Sequence, residues 1–257
     1  MTNHAHEDGP APRRRVNPVR EVRDFIRAAL ITPVPRDHHE SDAAFRRRRV
    51  VAALTLVAGA VVLGTALRIK PGDPMFYVAT LGLAAVWAVG ALASGPLHLG
   101  RAHTRAGGED ARPVVQSLAL GSLLLAVFLV GALVVAHVPV LRDPVEHLLD
   151  HARLGSLLLV AVLTAVNGVA EELYFRGALY AAVGRRHAVA TTTVVYALTT
   201  AGAGIPLLVL AAGLLGLLTA LQRRVTGGIL GPVITHLTWS LGMLFLLPAV
   251  LSTGGSP

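Results

Sequence analysis

Seven apolar blocks dominate the chain, at roughly residues 50–68, 75–97, 114–138, 155–183, 188–202, 205–221 and 227–250. Most are long enough to cross a bilayer core, which takes about 20 residues at the helical rise. Glycine and proline mark the links: Pro71-Gly72, Gly107-Gly108, Pro144, Gly202 to Pro206 and Gly227-Gly228. Blocks five and six are joined only by the uncharged AGAGIP, so they form either a tight helical hairpin or one broken span. The pattern predicts an all-α, polytopic transmembrane bundle of about seven helices over residues 49–250. Residues 1–48 precede it as a polar cytoplasmic segment, and 251–257 follow as a short tail.

The N-terminal segment divides in two. Residues 1–18 are polar and proline-rich and read as disordered. In 19–31, Val19, Val22, Phe25, Ile26, Ala29 and Leu30 share one helical face, with Arg20, Arg23, Asp24 and Arg27 off it. This is either a short amphipathic helix on the inner membrane surface or a tail with accidental periodicity. No cleavable signal precedes Val50, so the first block is expected to stay as a signal anchor.

Composition agrees with the pattern. Of 257 residues 53% are hydrophobic and only 15% charged, against about a quarter charged in soluble domains; mean hydropathy is +0.61. The absence of cysteine excludes disulfides, thiolate metal sites and a cysteine nucleophile. The net charge of +8 could suggest nucleic acid. The arginines sit at block ends instead, so no nucleic-acid partner is expected. Arg46–Arg49, then Arg101, Arg105 and Arg112, then Arg185 and Arg186, then Arg223 and Arg224 make every other link basic. The alternate links are poorer: Arg68 and Lys70, then Arg142 and Arg153 diluted by Asp143, Glu146 and Asp150, then none. Positive-inside bias therefore predicts a cytoplasmic N-terminus and a multi-pass protein of the cell (plasma) membrane, in contact with its lipids.

Block four carries an anomaly. Glu171 and Glu172 lie inside it, and Arg176 follows. A buried acid there costs about 2.5–3.5 kcal/mol even on lenient insertion scales. Glu172 and Arg176 are four apart and can pair; Asn167 and Glu171 are also four apart, on a neighbouring face. One carboxylate can thus be neutralised while the other points into a cavity. His236 is the one histidine deep in an apolar block, with Ser240 a turn beyond. From Arg185 back to Glu171 is about 21 Å of helix, from Arg224 to His236 about 18 Å, and from Arg186 to Thr200 about 21 Å. Glu171, His236, Ser240 and the pair Thr199-Thr200 can therefore meet at one depth. A carboxylate and an imidazole at that level can do base and oxyanion work on a water. On spacing alone, interhelical hydrogen-bond glue and a proton path stay open beside catalysis. Two other histidine groups read as solvated: His38, His39 and Glu40 on the tail, and His147 with His151 in a loop lacking a third ligand.

EELYFRG fits the E-E-x-x-x-R-G motif of the CPBP family of intramembrane proteases, which includes the type II CAAX prenyl endopeptidases. THLTWS, from His236 to Ser240, resembles that family's third motif, H-x-x-x-N or H-x-x-x-D, and GGILGPVI before it is also similar. The resemblance covers about residues 115–250. It implies a membrane helical fold and an endopeptidase acting on a membrane-embedded or lipidated peptide near the cytoplasmic half of the bilayer. It places Glu171 as the water-activating glutamate, Glu172 and Arg176 as its companions, and His236 as the third-motif histidine. The second motif, F-x-x-x-H, falls on YALTT, where Tyr196 replaces phenylalanine and Thr200 replaces histidine; Ser240 replaces the asparagine or aspartate. Losing one such electrostatic partner commonly costs about 10²–10³ in rate. Thr200 is no base, but Ser240 can still donate one hydrogen bond. A divalent metal such as zinc would find only Glu171 and His236, fewer than the three protein ligands usual at catalytic zinc, so no cofactor is required by this reading. The alternative is a catalytically impaired relative that binds or scaffolds a membrane partner. A transporter is supported only by the buried charges, since no inverted repeat is evident.

Overall fold

The computed structural model describes residues 17–252 except 37, 67, 71–72, 105–107 and 154–155. The expected disordered stretch 1–16, the Pro71-Gly72 turn, Arg105, Gly107 and most of the C-terminal tail lie outside the described residues, as does the His151 side chain.

The described residues are helical apart from links and a single isolated bridge between Ala102 and Ala111. Six helices are long and apolar enough to cross a membrane. They are α2 (Asp42–Ala66), α3 (Met75–Ser94), α4 (Val114–Val135), the run Leu157–Val183, α9 (Pro206–Thr226) and α10 (Leu230–Leu251). The run Leu157–Val183 begins as α6 (Leu157–Glu172), widens into a π-helical stretch over Leu173–Leu179 and closes as α7 (Tyr180–Val183). Block five is shorter: α8 (Ala188–Thr200) ends in a single 3₁₀ turn, and with α9 it makes the hairpin rather than one broken span. Leu54, Val57, Leu92, Val130 and Leu158 point outward, each more than 60% exposed. Outward apolar faces on so many helices need lipid, and the chain is a multi-pass membrane protein.

The central helices are positioned by small-to-large packing. Trp87 of α3 stacks on Tyr174 with ring centroids 4.6 Å apart and contacts Phe175 at 5.1 Å. The Tyr174 hydroxyl donates to the Ala52 carbonyl of α2 at 2.6 Å, so α2, α3 and the π-helical stretch are tied together. Gly59 admits the Trp87 ring, where a Cβ would lie 2.1 Å from it. α4 packs along α10, and α10 along α6.

Two links differ from their sequence reading. Residues 139–153, expected as a loop, form α5 (Pro139–Arg153), because Val145 and Leu149 recur at helical spacing and cover Ala132, Ala136, Leu247 and Leu251. The segment around His38 is docked rather than free. Its ring stacks on His98, centroids 3.6 Å apart, and Glu40 pairs with Arg48, whose Nη1 also donates to Ser94 Oγ.

Residues 19–31 are helical, as α1 (Pro18–Ile26), capped by Asn17, and a following π turn over Arg27–Ile31. Val19 and Val22 remain outward while Ala29 is fully buried against α9. The chain then closes the end of α9: Val34 N–H donates to Val225 O, Arg36 Nη1 to Arg224 O, and Arg224 Nη2 back to Leu30 O. These bonds satisfy carbonyls that a helix C-terminus would leave open. Gly227 turns the chain at φ +70°. Gly228 then passes so close to Leu99 that a Cβ would lie 2.0 Å from its carbonyl carbon.

Candidate active site

The π-helical stretch begins directly after Glu172 and contains Arg176. Such wide turns are uncommon and recur at functional sites. Here the widening leaves the Glu172–Arg176 pair intact: Arg176 Nε lies 3.3 Å from Glu172 Oε2, and both side chains have no solvent exposure. Arg176 also sits over the Tyr196 ring, 4.7 Å from its centroid. Gly216 of α9 leaves the space, since a Cβ there would meet Tyr196 and Arg176 at 3.2 and 3.3 Å. From the other side Arg223 Nε donates to the Arg176 carbonyl at 2.7 Å. A buried carboxylate is thereby kept with its counter-charge, the condition under which such a group is tolerated.

The second carboxylate oxygen of Glu172 meets His236. The Nδ1–Oε1 distance is 2.9 Å, with His236 5% exposed. Bonding through Nδ1 leaves the Nε2 edge for other work, the arrangement by which a carboxylate orients a catalytic imidazole. Equal depth did not decide which glutamate takes the histidine: azimuth gives it to Glu172.

Glu171 turns the other way. Its Oε2 accepts from the Tyr196 hydroxyl at 2.5 Å, and it lines a cavity of about 210 Å³ together with Phe175, Tyr196, Thr199, Thr200, His236 and Trp239. At about 30 Å³ of liquid volume per water, that is room for several. Glu171, Thr199, Thr200 and His236, placed at one depth by helical rise, do share this cavity. Thr199 and Thr200 back-bond to Tyr196 O and Ala197 O of their own helix, which uses their donors. Ser240 is outside the lining set; its Oγ is buried without a partner. Asn167 bonds to Leu163 O through Nδ2 and leaves Oδ1 unpaired, and it does not line the cavity either.

Tyr196 is a partner of Glu171 that the motif does not point to, since there it stands only as a replaced phenylalanine. The signal was present, since a tyrosine inside an apolar helix needs a partner for its hydroxyl.

A larger groove of about 520 Å³ runs between α3 and α6, from Leu81 to Leu173, but only apolar side chains line it. The ionisable and polar side chains line the smaller cavity.

Zinc does not fit these donors. Among the described residues no three histidine or acidic side chains converge. Glu172 is already shared between Arg176 and His236, and Glu171 is bonded to Tyr196.

Residues 153–242 match the Rce1-like family. Its description is type II CAAX prenyl endopeptidase Rce1-like, and the match spans about a third of the chain, from the end of α5 to two residues beyond Ser240. No curated protein and no solved structure gives a significant match. The matched Rce1-like segment contains the glutamate pair, Arg176, Tyr196, Thr200, His236 and Ser240. At the level of that family it resembles a CAAX-protease-like intramembrane endopeptidase, a peptidase of the membrane.

Proposed function

We propose that the chain is an intramembrane endopeptidase that hydrolyses a peptide bond of a membrane-embedded or lipidated polypeptide. The observation that carries this reading is the sorting of two adjacent carboxylates. Glu172 is consumed by Arg176 and His236, whereas Glu171 faces a cavity beside that histidine. A purely structural ion pair needs no second carboxylate at that depth, and a second one left facing a cavity costs several kcal/mol.

In this mechanism Glu171 takes a proton from a cavity water as the water oxygen attacks the scissile carbonyl carbon. The carbonyl oxygen becomes an oxyanion. His236, held through Nδ1 by Glu172, presents Nε2–H to it when protonated, and Ser240 is a further candidate donor one turn on. Glu171 then returns its proton to the departing amine as the C–N bond breaks. Tyr196 fixes the Glu171 carboxylate by donating its hydroxyl to Oε2. No step passes through a metal. The protein acts in the cell (plasma) membrane, with lipid around it and a membrane peptide as its partner.

The test compares peptides in membranes of cells carrying the parent chain and Glu171→Gln. Fragments present only with the parent, and lost again in His236→Ala, are expected. Equal peptide sets in all three would end the proposal.

A catalytically impaired relative that scaffolds a membrane partner is the second reading, favoured by Thr200, whose hydroxyl is turned to its own helix. Thr200→His separates the two. A large gain in cleavage indicates a degraded site. An unchanged, measurable rate indicates a site rebuilt around Tyr196.

A further inference from the structure

The cavity lies unevenly between the two ends of the bundle. The arginine-rich ends are the start of α2, the end of α3, the close of α7, the start of α8 and the end of α9. On that side of Glu171 the structure is closed. Tyr174, Phe175, Arg176, Ala178 and Leu179 are all buried, as are Gln222 and Arg223 opposite them. Arg223 bridges across to the Arg176 carbonyl, and the N-terminal segment covers the end of α9 through Val34 and Arg36. Below the site there is a plug several layers deep, cross-linked by hydrogen bonds and ion pairs.

Toward the other end the lining changes. Leu63 lies three residues before the end of α2, Thr199 and Thr200 are the last two residues of α8, and Leu208 is the third residue of α9. All four are partly exposed, whereas the lining residues Phe175, Tyr196, Leu215 and His236 are buried. The cause is geometric. α8 and its 3₁₀ turn cover only 16 residues, about 24–26 Å at the α-helical and 3₁₀ rises. That is less than the roughly 30 Å of a bilayer core. α8 therefore ends short of the arginine-poor surface, and the cavity rim there is left to partly exposed side chains.

We infer that substrate reaches Glu171 from the arginine-poor side, over the α8–α9 turn between Leu63 and Leu208. The bond cleaved then lies in the half of the bilayer on that side, and not in the arginine-rich half that the sequence suggested. What enters, a polypeptide segment held in the membrane, rests on the peptidase reading; the route does not.

The chain has no cysteine, so single thiols report the route directly. Thr200→Cys, Leu208→Cys and Leu63→Cys are made in the full chain, each also in a Glu171→Gln background. Reference thiols are Ser252→Cys at the arginine-poor end and Glu109→Cys in an arginine-rich link, both exposed. Proteoliposomes sorted by orientation are treated with a charged, membrane-impermeant maleimide. The cavity thiols are expected to label only from the side that labels Ser252→Cys, at least tenfold faster than from the Glu109→Cys side, with or without Glu171. Labelling from the Glu109→Cys side overturns the route. So does labelling from neither side while the same thiols react after denaturation. Three positions guard against one variant that fails to fold. Because the readout needs no cleavage, an inactive protein that labels as expected sinks the peptidase reading and leaves the route standing.

Discussion

Replacing Tyr196 by phenylalanine removes one oxygen from the candidate site and little else. The ring keeps its edge contact with Phe175, 4.7 Å between centroids, and its face remains under the Arg176 guanidinium. What disappears is the donor 2.5 Å from Glu171 Oε2. Hydrogen bonds to charged groups are worth about 1.5–3 kcal/mol. If that energy holds the carboxylate in its attacking position, its loss appears in the chemical step, at 1.36 kcal/mol per factor of ten. The expected fall in kcat is roughly 10- to 150-fold, with KM little changed, because the hydroxyl is spent on Glu171 and leaves no free donor for substrate. A peptide found to accumulate in Glu171→Gln membranes supplies the substrate, and its cleavage by purified protein in liposomes is followed by mass spectrometry. The substitution also restores the phenylalanine of the motif that the sequence resembles. A merely ancestral position would then lose nothing. A Tyr196→Phe protein that folds and cleaves at the parent rate, or faster, refutes the positioning role.

Three further outcomes follow from geometry away from the water. Arg176→Ala leaves the Glu172 carboxylate, at zero exposure, with His236 as its one remaining partner, and breaking a buried pair this way costs about 3–5 kcal/mol; the unfolding midpoint in detergent should drop sharply, whereas a shift as small as that of Tyr196→Phe would contradict the pairing. Gly228→Ala drives a Cβ to 2.0 Å from the Leu99 backbone, where no side chain can yield, so a loss at or above the usual 1–3 kcal/mol of overpacking is expected, read as lower thermal stability and earlier proteolysis near residues 95–101. The docking of the His38 segment should be pH-dependent. Partial burial and the neighbouring His98 ring, with Arg223, Arg36 and Arg185 nearby, push the His38 imidazole down to about 4 from its ordinary 6.5. The folded form therefore resists protonation, so the contribution is complete above about pH 6.5 and is lost as pH falls toward 4. The mobility of a spin label on Pro35→Cys, an exposed position, should rise across that window and should do so less in His98→Ala; unchanged mobility from pH 7 to 4 would contradict it.

The bundle was legible because lipid makes hydrophobic length a direct readout of a helix, and six of the seven blocks are helices of spanning length. Where the sequence reading failed, packing had overridden composition. Residues 139–153 carry enough charge to read as a loop, yet two aliphatic side chains one turn apart suffice to seat a helix on the ends of α4 and α10. The His38 stretch is polar and proline-flanked, and it takes its place from His98 in a distant link, Arg48 of α2 and the end of α9. The π-helical widening after Glu172 has no local sequence signature, since no residue type demands it.

Depth along a helix could be counted, but direction around it could not, and the site turns on direction. His236 at about 18 Å from the basic boundary is nearly level with both Glu171 and Glu172, so rise alone cannot choose between carboxylates 1.5 Å apart along the axis. The fold chooses Glu172 and leaves Glu171 to find another donor. Tyr196, ten residues from Arg186 and about 15 Å deep, lies a turn shallower than Glu171, and its long phenol spans the difference. A phenylalanine there would leave the carboxylate without that bond, and a histidine at 200 would put an imidazole into the lining of the same cavity. This chain has the reverse of both, a hydroxyl at 196 and no imidazole at 200. The two departures from the motif lie one turn apart on the helix beside Glu171. They are therefore better treated as one exchange than as two losses, and the double variant Tyr196→Phe with Thr200→His is the substitution in which neither effect can be read from the other alone.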